Sequence, residues 1–185
     1  MNDEELKQAL RDYAYLEGDF VLRSGRRSRY YLDKYRFETR PDLLEALGRR
    51  LAAKVVEAEP KTDRLAGPEL GAVALAAAAA LASGLPFLIV RKETKAYATA
   101  KRVEGAFEPG ERVCLIEDVV TSGGAALEAV QALRGTGLEC RTAVCVVDRE
   151  EGGADSLARA AVRLWPLFRA REILQLHKSA AKPHG

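Results

Sequence analysis

Cysteine, histidine, tryptophan and methionine are all scarce in this 185-residue chain: three, two, one and one. The cysteines, Cys114, Cys140 and Cys145, are odd in number and two lie in strand-like runs. They read as buried free thiols of a reducing compartment, not as a disulfide framework. No Cys or His spacing matches a metal site. Long apolar runs are missing too. The longest, Ala72 to Ala82, is mostly alanine and too short to span a bilayer. No signal peptide opens the sequence, so a cytoplasmic chain with no membrane partner is expected. There is no excess of one charge: the formal net charge is +2, with both signs spread along the chain, which argues against nucleic acid as a partner. Two phosphate-binding signatures are absent. There is no G-x-x-x-x-G-K-[ST], and the only G-x-G, Gly135-Thr136-Gly137, follows a helix and precedes a strand, the wrong order for a dinucleotide fingerprint. With no internal repeat and no linker, residues 1–185 read as one domain, with 177–185 as a disordered tail.

What the chain does carry is concentrated in Val113-Cys114-Leu115-Ile116-Glu117-Asp118-Val119-Val120-Thr121-Ser122-Gly123-Gly124-Ala125. An apolar run ends in two adjacent carboxylates and passes into a small, hydroxylated, glycine-bearing loop. Leu127, Val130 and Leu133 then recur at helical spacing, so the unit reads strand, loop, helix. Such a loop aims backbone N–H groups, with the hydroxyls of Thr121 and Ser122, at one point. The helix adds its free N–H groups and its positive end. Gly123 and Gly124 let the backbone turn and approach an anion with no Cβ in the way. This predicts a phosphate cradle. Glu117 and Asp118 repel phosphate; sugar hydroxyls, which donate to carboxylates, or a divalent cation suit them better. Phosphate beside ribose suggests a phosphorylated pentose. An ordinary Ser/Gly-rich turn is the competing reading of the loop alone. The paired carboxylates weigh against it, because open α/β sheets bind ligands at the carboxyl ends of their strands.

Elsewhere, Asp3 can cap a first helix with Leu6, Leu10 and Tyr13 on one face and Gly18 ending it. From Phe20 to Lys34, two short strand-like runs flank a polar turn at Ser24-Gly25. This sets Arg23, Arg26, Arg27 and Arg29 near Tyr30 and Tyr31, a combination suited to a flat anionic ring; an exposed hairpin is the plain alternative. Thr39 to Glu59 is an amphipathic helix opened by Pro41, with Leu44, Leu47, Leu51 and Val55 as its stripe. Asp63 to Ala66 is a short strand. Gly67-Pro68-Glu69-Leu70-Gly71, a second candidate anion loop, and an alanine-rich helix closed by Gly84 follow. Leu85 to Val90 is a buried strand. At its end comes a basic, aperiodic stretch, 91–105, which reads either as a solvated loop or as mobile positive charge able to close over an anion. Thr142 to Val147 is a further strand. It ends in Asp148-Arg149-Glu150-Glu151-Gly152-Gly153, where Arg149 can grip a carboxylate in a bidentate fork, although Asp148–Arg149 alone reads as a local ion pair. Ala161 to Phe168 is a last apolar run and Arg171 to Leu176 a final short helix. Strands alternating with helices predict an α/β fold with a largely parallel sheet.

The central stretch resembles the phosphoribosyl-pyrophosphate (PRPP) motif of type I phosphoribosyltransferases. Three more segments resemble the orotate phosphoribosyltransferase family: F-x-L-x-S-G-x-x-S-x-Y-Y from Phe20 to Tyr31, R-K-E-x-K-x-Y from Arg91 to Tyr97, and D-R-x-E-G-G from Asp148 to Gly153. The G-P-E-L-G loop is similar to the family's pyrophosphate loop. Leu70 stands where many members have Lys, and Ala98 where the family usually has Gly. The resemblance implies a type I phosphoribosyltransferase fold: a largely parallel central sheet flanked by helices, with a small N-terminal hood over about 1–40 and a core over about 41–176. It implies transfer of the 5-phosphoribosyl group from PRPP to orotate, a step of pyrimidine synthesis. Arg91, Lys92, Lys95 and Tyr97 are implied to bind PRPP, the three cations stabilising the departing pyrophosphate. Glu117 and Asp118 would orient the ribose, and Val119, Val120, Thr121, Ser122, Gly123, Gly124 and Ala125 would hold the 5′-phosphate. Orotate would meet Thr121, Arg149, Arg23, Tyr30 and Tyr31. No protein-only metal site is implied; Mg²⁺ would arrive with PRPP and water, with Asp118 as a candidate ligand. A homodimer sharing loop 91–105 across its interface is implied as well. Two alternatives stay open: a type I phosphoribosyltransferase for another base, as in purine salvage, and a non-catalytic nucleotide-binding regulator.

Overall fold

A computed structural model describes residues 1–21, 27–92 and 101–177. The chain opens with α1, Asp3–Tyr13, capped by Asn2 and not by Asp3. The Asn2 side chain accepts from the Glu5 N–H at 2.9 Å, and Glu5 accepts from the Asn2 N–H at 2.7 Å. A reciprocal box needs an acid three residues after the cap; Asn2 has Glu5 there, whereas Asp3 would have Leu6. Nor does the helix run to Gly18. It stops at Tyr13, and Gly18 lies inside β1, Tyr15–Val21, where the ladder with β2, Arg27–Leu32, is irregular between Glu17 and Phe20. The hairpin itself is as expected. Its turn, with Arg23, Ser24, Gly25 and Arg26, lies outside the described residues.

Behind the hairpin come α2, Tyr35–Glu38, which the sequence did not announce, and α3, Pro41–Ala58. Pro41 opens α3, as predicted, and Leu43, Leu47, Leu51 and Val55 form its buried stripe; Leu44 is only partly covered. After β3, Arg64–Pro68, the alanine-rich α4, Gly71–Ser83, lies close against α3. A Cβ at Gly48 would come within 2.7 Å of Ala78, so glycine sets the spacing of the two helices. The chain continues through β4, Phe87–Val90; β5, Val103–Glu104; β6, Arg112–Val120; α5, Gly124–Arg134; β7, Glu139–Asp148; α6, Gly153–Arg159; β8, Arg163–Arg169; and α7, Ala170–Leu174.

The main sheet has the order β5-β4-β3-β6-β7-β8. All its pairs are parallel except β4–β5. Four of these strands were predicted. β5 is only a two-residue edge, and β8, expected only as an apolar run, is a strand with Pro166 in its middle. An edge strand tolerates proline, since one of its sides makes no ladder bonds. Side chains of β6 alternate between two apolar layers. Val113 and Leu115 face the layer of Ala126, Val130 and Leu157. Cys114 and Ile116 face the layer of Leu6, Leu47 and Leu75. The alternation carries Asp118 towards α2 and α4. Among the described residues no helix is long and apolar enough to cross a membrane.

Candidate active site

A cavity of about 1010 Å³ opens at the C-terminal ends of β3, β6 and β7. Its wall includes Glu117 to Ala125, together with Tyr31, Lys34, Glu69, Lys92 and Arg149. Residues from five separated sequence motifs thus meet at one sheet edge, where open α/β sheets bind ligands. The strand does not end at the carboxylates, however. β6 continues to Val120, whose carbonyl accepts from the Arg149 N–H at 2.9 Å. The loop therefore begins at Thr121.

Gly123 takes a left-handed conformation (φ 83°) and caps α5. A Cβ there would sit 3.1 Å from the Gly153 carbonyl oxygen. Gly124 is different: a Cβ on it would meet nothing within 4 Å among the described residues beyond its own helix and chain neighbours. The space in front of the α5 N-terminus is open, and the free N–H groups of its first turn face a region of anion-stabilising potential.

Glu117 and Asp118 are both buried. Asp118 Oδ2 accepts from Lys34 Nζ at 2.5 Å and Oδ1 from the Val119 N–H at 2.5 Å. Among the described residues Glu117 Oε1 has no hydrogen-bond partner. Burial, and then the charge of Asp118, push the Glu117 carboxyl up to about 8. Glu38, at the end of α2, lies beside Asp118, and its carboxyl also rises to about 8, by burial first and by Asp118 second. Burial alone would lower the Lys34 ammonium, but the charge and hydrogen bond of Asp118 outweigh it, and the net shift is upward.

Arg149 is buried and does not pair with Asp148, contrary to the local ion pair that its sequence suggests. Asp148 Oδ1 accepts from the Glu150 N–H at 2.8 Å. Glu150 has a positive φ of 58°, which turns the chain so that Glu151 meets Arg149 Nη2 at 2.9 Å. The guanidinium also lies over the Tyr30 ring, 4.7 Å from its centroid, and Tyr30 stacks on Tyr15. Tyr31 points the other way along the strand and lines the cavity.

Arg91 lies between two carboxylates, Glu69 at 3.6 Å and Glu104 at 3.8 Å. The Lys92 N–H donates to Glu69 at 3.2 Å. The Arg91 N–H donates to the Arg102 carbonyl at 2.7 Å, so the basic stretch leaves and returns at one point. Lys95, Tyr97 and Ala98 lie outside the described residues. Leu70 is exposed beside Glu69 and adds no charge there.

A family model for the phosphoribosyl transferase domain matches residues 40–165. An orotate phosphoribosyltransferase of Methanocella arvoryzae is 48% identical over 173 residues, covering 93% of this chain and 97% of that one. The chain belongs to the orotate phosphoribosyltransferase family. Solved structures agree with this. The fold superposes on Leishmania donovani UMP synthase with a TM-score of 0.83 and 32% identity, 94% of this chain matching 38% of that one. It superposes on a Mycobacterium tuberculosis orotate phosphoribosyltransferase in complex with PRPP with a TM-score of 0.77 and 28% identity, covering 92% and 98% of the two chains. Family membership bears out the resemblance of the central stretch, and with it the largely parallel α/β sheet.

Sequence reasoning missed Lys34, Glu69 and Glu151, which line this cavity, and Glu38, which lies beside Asp118. Lys34 immediately precedes α2 and Glu38 ends it, and that helix is too short to leave a periodic signal. Glu69 was in view, as part of the anion loop, but its contacts with Arg91 and Lys92 depend on β3 and β4 being neighbours.

Glu38 supplies a pH test. Its carboxyl keeps a proton in the folded chain up to about 8, whereas the ordinary value is 4.5. Between those limits folding takes up a proton, so stability falls as pH rises through the window. Glu38→Gln removes this dependence and can still donate to Asp118. The variant's melting temperature should gain on the wild type's between about pH 5 and about pH 8, by roughly 2–4 °C for each kcal/mol involved. Parallel melting curves across that range would contradict the assignment.

Proposed function

We propose that this chain catalyses transfer of the 5-phosphoribosyl group from PRPP to orotate, giving orotidine 5′-monophosphate and pyrophosphate in pyrimidine biosynthesis. The observation that carries this reading is the open cradle at Gly124, faced in the same cavity by two buried carboxylates and a buried arginine. A steady-state assay with PRPP and a panel of bases tests it. Orotate should be the only efficient acceptor; a purine used as well as orotate would overturn it.

In this reading the 5′-phosphate rests on Thr121 to Ala125 and the first turn of α5. Asp118 and Glu117 take the ribose hydroxyls. As the bond at the anomeric carbon breaks, its electrons leave with the pyrophosphate, and a ring nitrogen of orotate, having given up its proton, bonds to that carbon in its place. Arg91, Lys92 and Lys95, with Tyr97, hold that departing charge. Closure of the loop would exclude water, which would otherwise hydrolyse PRPP. Among the described residues no three His, Cys, Asp or Glu side chains are grouped to hold a metal. Mg²⁺ needs only one or two carboxylates when substrate phosphates supply the other ligands, and Asp118 with the unpartnered Glu117 Oε1 fits that need. When bound, Mg²⁺ would neutralise pyrophosphate charge. The buried, unpaired cysteines support a reducing, cytoplasmic setting. We take the chain as one catalytic domain, with the hairpin as hood, working as a homodimer that shares loop 91–105.

Arg149 is assigned to the orotate carboxylate, with Tyr30 supporting its guanidinium and Tyr31, Thr121 and Arg23 completing the base site. Arg149→Ala should weaken orotate binding with PRPP binding nearly unchanged. A hydrogen bond to a charged group contributes about 1.5–3 kcal/mol, so the loss should be roughly tenfold to a hundredfold. Unaltered orotate affinity in a calorimetric titration would mean that Arg149 serves only Glu151 and Tyr30.

A further inference from the structure

Lys34 belongs to none of the motifs that define the site, yet its ammonium is 2.5 Å from Asp118 Oδ2 across 84 residues of sequence. The pair is asymmetric: the Lys34 side chain is 31% exposed, in the cavity wall, and that of Asp118 only 5%. The other Asp118 oxygen is taken by the Val119 N–H, so both oxygens are fixed, one by backbone and one by Lys34. Glu38 and Glu117 crowd the same place, and Oε1 of each is buried without a hydrogen-bond partner among the described residues. Among the described residues Lys34 is the only cation in ion-pair contact with any of these three carboxyl groups. A Cβ on Gly71 would overlap both the Asp118 and Glu38 carboxyl oxygens, so α4 closes the remaining side.

Lys34 is itself well anchored. It follows Asp33, whose N–H donates to the Ala14 carbonyl at 2.8 Å where α1 meets β1. It precedes α2, where Phe37 is fully buried in the core. The cation at Asp118 is therefore delivered by the connection between the hairpin and the core.

We propose that Lys34 is a positioning residue for the sugar: it holds the Asp118 carboxylate in the one orientation in which it meets the ribose hydroxyls of PRPP. This rests on the reading of Asp118 as the ribose carboxylate. Without Lys34, the buried Asp118 carboxylate loses its one cation among the described residues and is held only by the Val119 N–H, so it can turn from the cavity. Because Lys34 acts through Asp118, its effect should vanish when Asp118 is already disabled. A lysine that touched PRPP directly would retain its effect.

The test is a double-mutant cycle read in KM and kcat for both substrates. Lys34→Met should raise the KM for PRPP by roughly tenfold or more while the KM for orotate stays within about twofold. Lys34→Arg should restore most of the loss, because a guanidinium keeps the charge and the donor. In the Asp118→Asn background, Lys34→Met should add no more than about a twofold change. Lys34→Gln, which keeps a donor and drops the charge, carries the same test if the methionine variant does not fold. Three results would overturn the proposal: an unchanged KM for PRPP, equal losses for both substrates without rescue by arginine, or effects of Lys34 and Asp118 that multiply. Asp118→Asn alone monitors the underlying reading. If it leaves PRPP kinetics intact, the ribose role of Asp118 fails and Lys34 falls with it. If it impairs them and Lys34→Met does not, only the Lys34 proposal is lost.

Discussion

Gly124→Val should remove tight PRPP binding and leave the fold intact. Among the described residues, nothing beyond its chain neighbours and its own helix lies within 4 Å of a Cβ at this position, so the new side chain meets no wall. Nor does the helix suffer, since valine is at least as good a helix residue as glycine. The branched side chain instead fills the space in front of the α5 N-terminus, where the 5′-phosphate is proposed to sit. A phosphate displaced from even two charge-assisted hydrogen bonds loses about 3 kcal/mol or more, which is on the order of a hundredfold or greater in affinity. Orotate, held at Arg149, should bind within a few-fold of normal. Titration calorimetry of both ligands decides the matter, with a melting curve to show the fold is unaltered. Equal weakening of both would mean that the loop does not belong to the phosphate. Gly123 would be a poor substitute in this test, because its left-handed φ and the nearby Gly153 carbonyl make any side chain there a fold defect.

Lys95→Ala should lower kcat on the order of a hundredfold to a thousandfold, with PRPP affinity much closer to normal. A group that meets its target mainly as charge leaves the sugar contributes to rate more than to binding. The proposed sharing of the basic loop between subunits adds a sharper consequence. Asp118→Asn disables the sugar site in place, whereas Lys95→Ala disables what would be lent to the neighbour. A mixed dimer then holds one site with both defects and one with neither. Random exchange makes about half of all dimers mixed, so activity should recover to roughly a quarter of wild type. Recovery is measured after mixing the two inactive proteins, with exchange followed by mass labelling. Exchange without recovery would show that Lys95 serves its own subunit.

The parts of this architecture that were legible beforehand are those with a local period or a local chemical contradiction. β6 is a continuous apolar run, α5 follows at helical spacing, and two carboxylates beside a phosphate cradle need a ligand with hydroxyls. The hairpin was legible because its strands flank a polar turn. What escaped is what only tertiary pairing creates. Lys34 reaches Asp118 because α2 lies under the C-terminal end of β6, and α2, at four residues, has no pattern to read. Glu151 displaced Asp148 as the partner of Arg149 because Glu150 turns the chain with a positive φ that nothing in an Asp-Arg-Glu-Glu run announces. Pro166 disguised β8, and the Asn2 box overrode Asp3 by a single residue.

The two borders of the main sheet carry one more consequence. β5 offers a neighbour only Val103 and Glu104, and β8 presents Pro166, which has no N–H, between arginines at both its ends. Among the described residues both borders are therefore poor templates for another strand, which guards the sheet against edge-to-edge aggregation. A second copy of the chain is therefore expected to join through helices, hairpin or loops. Such an association leaves the carboxyl ends of the strands uncovered by a neighbouring sheet.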